Sequence, residues 1–154
     1  MTAEERAEQI EAIRSLPELL ENAVADLSDR RLDTSYREGG WTRRQVVHHI
    51  ADSHLNGYTR MKLILTENRP TLKPYDQDAW ATLSDSTLPV KGTLALLRGL
   101  HQRWGAFLDT VRDDEWHRVA DHPEDGEVTL EELLRIYAWH GIHHLNQIMS
   151  ESAF

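Results

Sequence analysis

Residues Tyr137 to Ile148 read Y-A-W-H-G-I-H-H-L-N-Q-I, with three imidazoles inside five positions. Histidine is a mediocre helix former but the commonest metal ligand. On a helix, His140 and His144 stand i, i+4 apart, so both rings leave one face a turn apart and can share one ion. His143 is rotated off that face, toward a supporting or surface place. Two imidazoles make a weak site, and a third donor must come from another helix. The second histidine-rich window supplies it: His48, His49 and His54. His49 lies beside Val46 and Ile50 and points nearer the core than His48. From His49 a polar track runs through Asp52, Ser53, Asn56 and Arg60. Such a track next to an apolar stripe is costly unless its groups are paired. A cleft with a metal at its base, held by His49, His140 and His144, accounts for it. The plainer alternative has these imidazoles capping carbonyls and pairing with the abundant carboxylates. His101, His117 and His122 stand apart in the sequence.

The helices that must carry these rings are visible as runs of the 3.6-residue period. The first spans about Ala3 to Leu27, with Ile10, Ile13, Leu16, Leu20 and Val24 on its stripe; Pro17 should kink or break it. The second opens after E-G-G-W, capped by Thr42, and runs to about Glu67. The third spans about Thr93 to Val111. The fourth starts at T-L-E-E, where Thr129 and Glu132 have capping-box spacing, and runs to about Ser150. A long crossover, about Asn68 to Gly92, separates the second and third helices and includes a short helix near Asp76 to Leu83. A second connection, D-H-P-E-D-G-E-V, joins the third and fourth. Four long helices with one long crossover predict an all-α four-helix bundle forming a single domain over residues 1–154.

Composition narrows the chemistry. The chain has 17 Lys+Arg against 26 Asp+Glu, a net charge of −9, so nucleic acid and anionic membrane are poor partners. There is no cysteine, which removes disulfides, thiolate metal sites and a cysteine nucleophile. No run of apolar residues is long enough for a membrane span, and M-T-A-E-E-R-A-E does not read as a signal peptide; a cytoplasmic location is expected. Zincin proteolysis is not supported, because H-G-I-H-H has no glutamate inside the pair.

Four stretches carry a family resemblance: Gly39 to Asn56 (G-G-W-T-R-R-Q-V-V-H-H-I-A-D-S-H-L-N), Lys73 to Trp80 (K-P-Y-D-Q-D-A-W), Leu94 to Trp104, and the Y-x-W-H-x-x-H-H of Tyr137 to His144. With these the chain resembles the DinB-like superfamily, in its YfiT-type branch of metal-dependent hydrolases and bacillithiol transferases. The resemblance covers nearly the whole chain. It implies an up-down-down-up bundle, usually a homodimer, and a divalent metal, zinc or nickel, on three histidines. One follows the tryptophan of the W-T motif by eight residues, which is His49; the others end H-x-x-x-H, at His140 and His144. Relatives often read H-x-x-H-H-R-G-Q, where this chain has Leu145 and Asn146 before Gln147. Some also begin earlier, with an N-terminal arm.

Three neutral imidazoles with open positions make a Lewis-acid site that lowers the pKa of a bound water or thiol. Near it only Asp52 and Asp76 offer a base. Thiol transfer asks less, since an ionised thiol is already the nucleophile, and the cysteine-free chain would take that thiol as a low-molecular-weight cosubstrate. The expected function is therefore metal-dependent S-transfer to a small electrophile or xenobiotic. Tyr75, Trp80 and Trp139 would wall the acceptor cleft, and Arg60 would anchor a thiol's carboxylate. Hydrolysis by a metal-bound hydroxide, and a non-catalytic metal- or ligand-binding stress protein, are the rival readings.

Overall fold

Three of the four long helices begin where a side chain can satisfy their orphan N–H groups. Thr2 with Glu5, Thr42 with Gln45 and Thr129 with Glu132 form reciprocal capping boxes in the computed structural model, which describes residues 1–151. They open α1 (Ala3–Val24), α3 (Arg43–Thr66) and α6 (Leu130–Met149). The fourth long helix, α5 (Lys91–Leu108), starts without a side-chain cap. Two short helices, α2 (Asp29–Leu32) and α4 (Gln77–Ala81), lie in the connections, and a 3-10 turn follows α4 at Ser84–Thr87.

Contacts between the long helices fix both neighbours and directions. Along α1, Arg14 pairs with Asp109 and Glu21 with Arg98, so α5 runs antiparallel to α1. Arg6 pairs with Glu131 while Leu16 lies against Gly141, so α6 runs parallel to α1. Tyr137 lies against Gly57 and Ile148 against Arg43, which sets α3 antiparallel to α6. Met61 meets Trp104 and His48 meets Thr93, so α3 and α5 are parallel. This is the up-down-down-up order. The parallel pair α3 and α5 requires the long crossover, because a short turn can join only antiparallel neighbours.

Two expectations need correction. Pro17 does not break the first helix into two elements: α1 is continuous through it, and it ends at Val24, short of Leu27. The connection at Asp121 to Val128 is not a plain loop. It is an antiparallel hairpin, β1 (Val119–His122) with β2 (Gly126–Thr129), turned by Gly126 at φ +79°. The His122 ring accepts from the backbone N–H of Glu124 and of Asp125 and closes that turn. Residues 70–72 of the crossover bond to Asp121 through Pro70 O and Leu72 N, which ties the crossover to the hairpin.

The core has two apolar layers. One gathers Ile10, Met61, Ile64, Trp104, Leu108, Leu134 and Tyr137; the other gathers Leu20, Val46, Val47, Ile50, Leu97, Leu145 and Ile148. Between them lies a layer of imidazoles from three helices: His49 and His54 on α3, His101 on α5, His140 on α6. At the far end, Arg43 is fully buried and donates to the carbonyls of Ile148 and Ser150 at the end of α6, and to Thr34 and Ser35. An arginine can serve several carbonyls at once because its donors form a planar fork. Among the described residues no helix is long and apolar enough to cross a membrane.

Candidate metal centre

His49, His140 and His144 converge, each offering one ring nitrogen, with these atoms within 4.8 Å of one another. The i, i+4 pair on α6 is brought onto α3 by two close approaches. A side chain on Gly57 would meet the Tyr137 ring at 2.5 Å, and one on Gly141 would meet Leu16 at 2.5 Å. Glycine at both places lets α6 sit tightly between α3 and α1.

His49 Nε2 lies 3.2 Å from His140 Nε2. Metal–nitrogen bonds of ~2.0–2.1 Å in a tetrahedron put neighbouring donors ~3.3 Å apart. The approach is therefore either an N–H···N bond or two lone pairs directed at one ion. Other contacts favour the second use for two of the rings. His144 Nδ1 donates to Gln147 Oε1 at 2.7 Å, which leaves its Nε2 as the lone-pair nitrogen. His140 Nδ1 is engaged by His54 Nε2 at 3.1 Å. Metal-binding histidines typically have the far nitrogen held in this way. The donor set thus fits a borderline divalent ion that accepts imidazole, such as zinc or nickel.

The electrostatics agree. Burial pushes His49 down to about 4 and His140 down to about 2, with neighbouring imidazoles adding to both, and burial also lowers His144. At His144 the Gln147 hydrogen bond opposes burial without reversing the shift. Neutral rings are what a metal needs as ligands.

Above the three rings opens a cleft of about 480 Å³, walled by Tyr36, Trp41 and Trp139 with Arg37, Gln77 and Asp78 at its sides. Trp41 packs on His49 with ring centroids 4.8 Å apart. Trp139 is 60% exposed and stacks on His143 at 4.6 Å, so His143 supports the wall and accepts from Gln147 Nε2. Of the expected aromatic walls, then, Trp139 lines the cleft. Tyr75 and Trp80 stack on each other at 4.7 Å and are not among its lining residues. Tyr75 bonds instead to Ser53, and burial raises its hydroxyl to about 12.

The polar residues divide as well. Asp76 caps α4 by accepting from Ala79 N, and so has a structural task. Arg60 donates to the Tyr137 hydroxyl and to Lys73 O, which occupies both terminal nitrogens away from the cleft. Asp52 is half-buried, and burial together with Asp85 raises its carboxyl to about 6; it too is absent from the cleft lining. His48 is buried but spoken for, donating to Leu88 O and accepting from Thr93 Oγ1. Sequence reasoning missed Gln147, Arg37 and the inner pair His54 and His101. Gln147 is detectable in retrospect at i+3 from His144; His101 is not, since it lies on α5 and meets the centre only through His54.

Comparison with known proteins places these features in context. The model of the DinB superfamily matches residues 12–148. A protein of Oceanobacillus iheyensis named "putative metal-dependent hydrolase" is 50% identical over 93% of this chain and 83% of its own. A Bacillus cereus protein of the same name is 49% identical over 92% of this chain and 82% of its own. The structure of YfiT from Bacillus subtilis, described as a "probable metal-dependent hydrolase with an unusual four-helix bundle topology", superposes with a TM-score of 0.93. It has 46% identity, covering 96% of this chain and 86% of YfiT. The mycothiol-dependent maleylpyruvate isomerase shares the fold, with a TM-score of 0.68 at 19% identity, over 99% of this chain and 65% of that one.

Proposed function

The chain belongs to the DinB superfamily, and from that premise we propose that it is a metal-dependent S-transferase. It joins a low-molecular-weight thiol to a small electrophile, using zinc or nickel held by His49, His140 and His144. The observation that carries this reading is the make-up of the cleft. Three imidazoles meet at its base, and Asp78, exposed at the side, is the one carboxylate among its described lining residues. Water activation usually draws on a positioned base. A thiol needs only to ionise, and its sulfur is then the nucleophile.

When bound, the ion supplies Lewis acidity that lowers the pKa of a thiol or water ligand. The protein's own residues do the remaining work. The neutral imidazoles hold the ion without cancelling its charge, so a thiolate is the favoured counter-charge. Arg37 stands at the cleft with its guanidinium over the Tyr36 ring at 5.5 Å, and can pair with a carboxylate of the thiol cosubstrate. It takes the role that Arg60, bound to Tyr137 and Lys73, cannot fill without breaking those bonds. Tyr36, Trp41 and Trp139 offer flat apolar surface to the electrophile. In the transfer a carbon–sulfur bond forms, the carbon–leaving-group bond breaks, the leaving group departs as an anion, and the thiol proton goes to solvent. The absence of cysteine in the chain is consistent with a thiol that arrives from outside. One protein of the same fold is named for its dependence on mycothiol.

Hydrolysis is the second reading, favoured by the names of relatives about half identical to this chain. One experiment separates the two. The zinc- or nickel-loaded protein is offered a chloro-bimane with a panel of small thiols, and separately an aryl ester with none. Thiol-dependent conjugation lost in His140→Ala supports S-transfer. Ester cleavage without thiol, and no conjugation, replaces it with hydrolysis. Tight metal binding with neither activity leaves a binding protein.

A further inference from the structure

Three hydrogen bonds join four groups into one chain across the bundle. Pro17 has no N–H, so the carbonyl of Ile13, which a regular helix would pair with residue 17, lacks its usual partner on α1. His101 Nδ1 from α5 reaches that carbonyl at 2.5 Å. His101 Nε2 lies 3.0 Å from His54 Nδ1 on α3, with the two rings stacked at an interplanar angle of 13°. His54 Nε2 lies 3.1 Å from His140 Nδ1 on α6. All four long helices contribute one member.

The direction of every bond follows from the first. A carbonyl only accepts, so His101 carries its proton on Nδ1. In a neutral imidazole the other nitrogen is then an acceptor. His54 must therefore donate from Nδ1, which leaves its Nε2 to accept. His140 must donate from Nδ1, which leaves its Nε2 bare. Neutrality is secured by surroundings: His54 and His101 are 0% exposed and pack on Trp104, with Tyr137 also against His54. Burial holds His101 down to about 4 and His54 well below its ordinary value.

We propose that Pro17, His101 and His54 form a positioning relay that fixes His140 in the Nδ1–H tautomer, so that its Nε2 lone pair faces the centre shared with His49 and His144. The proline inside α1 is thus part of the site rather than a tolerated defect. By freeing one carbonyl it gives the relay an end that can only accept, and that end sets the polarity of every later link. His54 and His101 are positioning residues; neither reaches the ion. The relay rests on the metal reading above for its purpose but not for its existence, since the tautomer is a property of the protein without metal.

The test uses the full chain with ¹⁵N-labelled histidines. In metal-free wild type, ring ¹⁵N–¹H spectra are expected to show His140 as a single Nδ1–H tautomer. His54→Leu keeps the volume and removes the link. It should move His140 toward Nε2–H, the form favoured by free imidazole, and weaken zinc binding in chelator competition by about 10–100-fold. His54→Gln should restore both readouts to within a few-fold of wild type, because its amide oxygen and nitrogen are spaced much like the two ring nitrogens. A merely space-filling His54 would give the opposite order, with leucine tolerated and glutamine not. Should the leucine variant not fold, His101→Leu breaks the relay one link earlier and is read the same way. Nε2–H at His140 in wild type, or unchanged zinc affinity and tautomer in His54→Leu, would overturn the relay. A wild type that binds no zinc overturns the metal reading instead, while its tautomer spectrum still decides the relay.

Discussion

Replacing Gly57 by alanine sets two effects against each other. In an open helix position the change stabilises, by roughly 0.5–1 kcal/mol, because glycine loses more backbone entropy on folding. Gly99 on α5 is such a position, since an added Cβ there meets nothing within 4 Å. At Gly57 the added Cβ would stand 2.5, 2.6 and 2.7 Å from three carbons of the Tyr137 ring. That ring cannot swing away easily. It is buried edge-on against His54 and Trp104, and its hydroxyl accepts from Arg60. Overpacking of this kind costs ~1–3 kcal/mol, and contact with rigid ring atoms puts it near the upper end. The net is a loss of about 2 kcal/mol. Unfolding entropy of about 2.1 cal/mol/K per residue makes 1 kcal/mol worth roughly 3 °C in a chain of this size. Gly57→Ala should thus lower Tm by about 6 °C, and Gly99→Ala should raise it by about 2–3 °C. Tyr137 precedes His140 by one turn, so the same displacement moves His140 from His49, and Gly57→Ala should also bind zinc more weakly. Scanning calorimetry and chelator competition read both. If Gly57→Ala gains stability as Gly99→Ala does, the close approach of α3 and α6 is wrong.

Further predictions concern the supports of the bundle and the site. Arg43→Met removes a buried fork that serves carbonyls at the end of α6; charged hydrogen bonds are worth ~1.5–3 kcal/mol each and are not additive, so urea unfolding should show a loss of about 3 kcal/mol. Asp52 is pushed up from 3.8 to about 6, so its folded form favours the protonated state, and the stability this provides is complete below the unfolded value and lost as pH rises through 6. The displacement has a ceiling of about 3 kcal/mol, which solvent at this half-exposed site reduces to about 1. Asp52→Asn should match wild type near pH 3.5 and exceed it by about 1 kcal/mol at pH 8; equal stability at both pH values would contradict the shift. Gln147→Leu frees the His144 ring and should cost about 10–100-fold in zinc affinity with little change in Tm, whereas an unchanged affinity would show that the amide does not orient the ring.

What the sequence disclosed was what is local. Thr42 and Thr129 announce two helix starts because a cap closes between residues only three positions apart. His140 and His144 share a face because the helix period puts them there, and His49 follows from its place beside Val46 and Ile50. The hairpin escaped because its strands are four residues each, too short for alternation to stand out. Pro17 was misread for a related reason. Proline in a helix costs a hydrogen bond only if no other donor reaches the freed carbonyl, and the donor here is 88 positions from that carbonyl in the chain, on His101. Arg60 and Asp76 have the residue types that a site would use, yet their bonds to Tyr137, Lys73 and Ala79 turn them to structural tasks. Arg60's partners lie on α6 and in the crossover, where spacing along one helix gives no sign of them. The Asp76 cap is local, three residues from Ala79 at the start of a short helix, and its residue type was read as chemistry instead.

The central claim is a single metal held by three histidines. Elemental analysis of the protein purified without a polyhistidine tag, as wild type and as His49→Ala, His140→Ala and His144→Ala, tests it most directly. About one zinc or nickel per wild-type chain is expected, lost in each variant while the helical circular dichroism persists. A wild type free of metal that cannot be reloaded, or a variant that keeps its full complement, would contradict it.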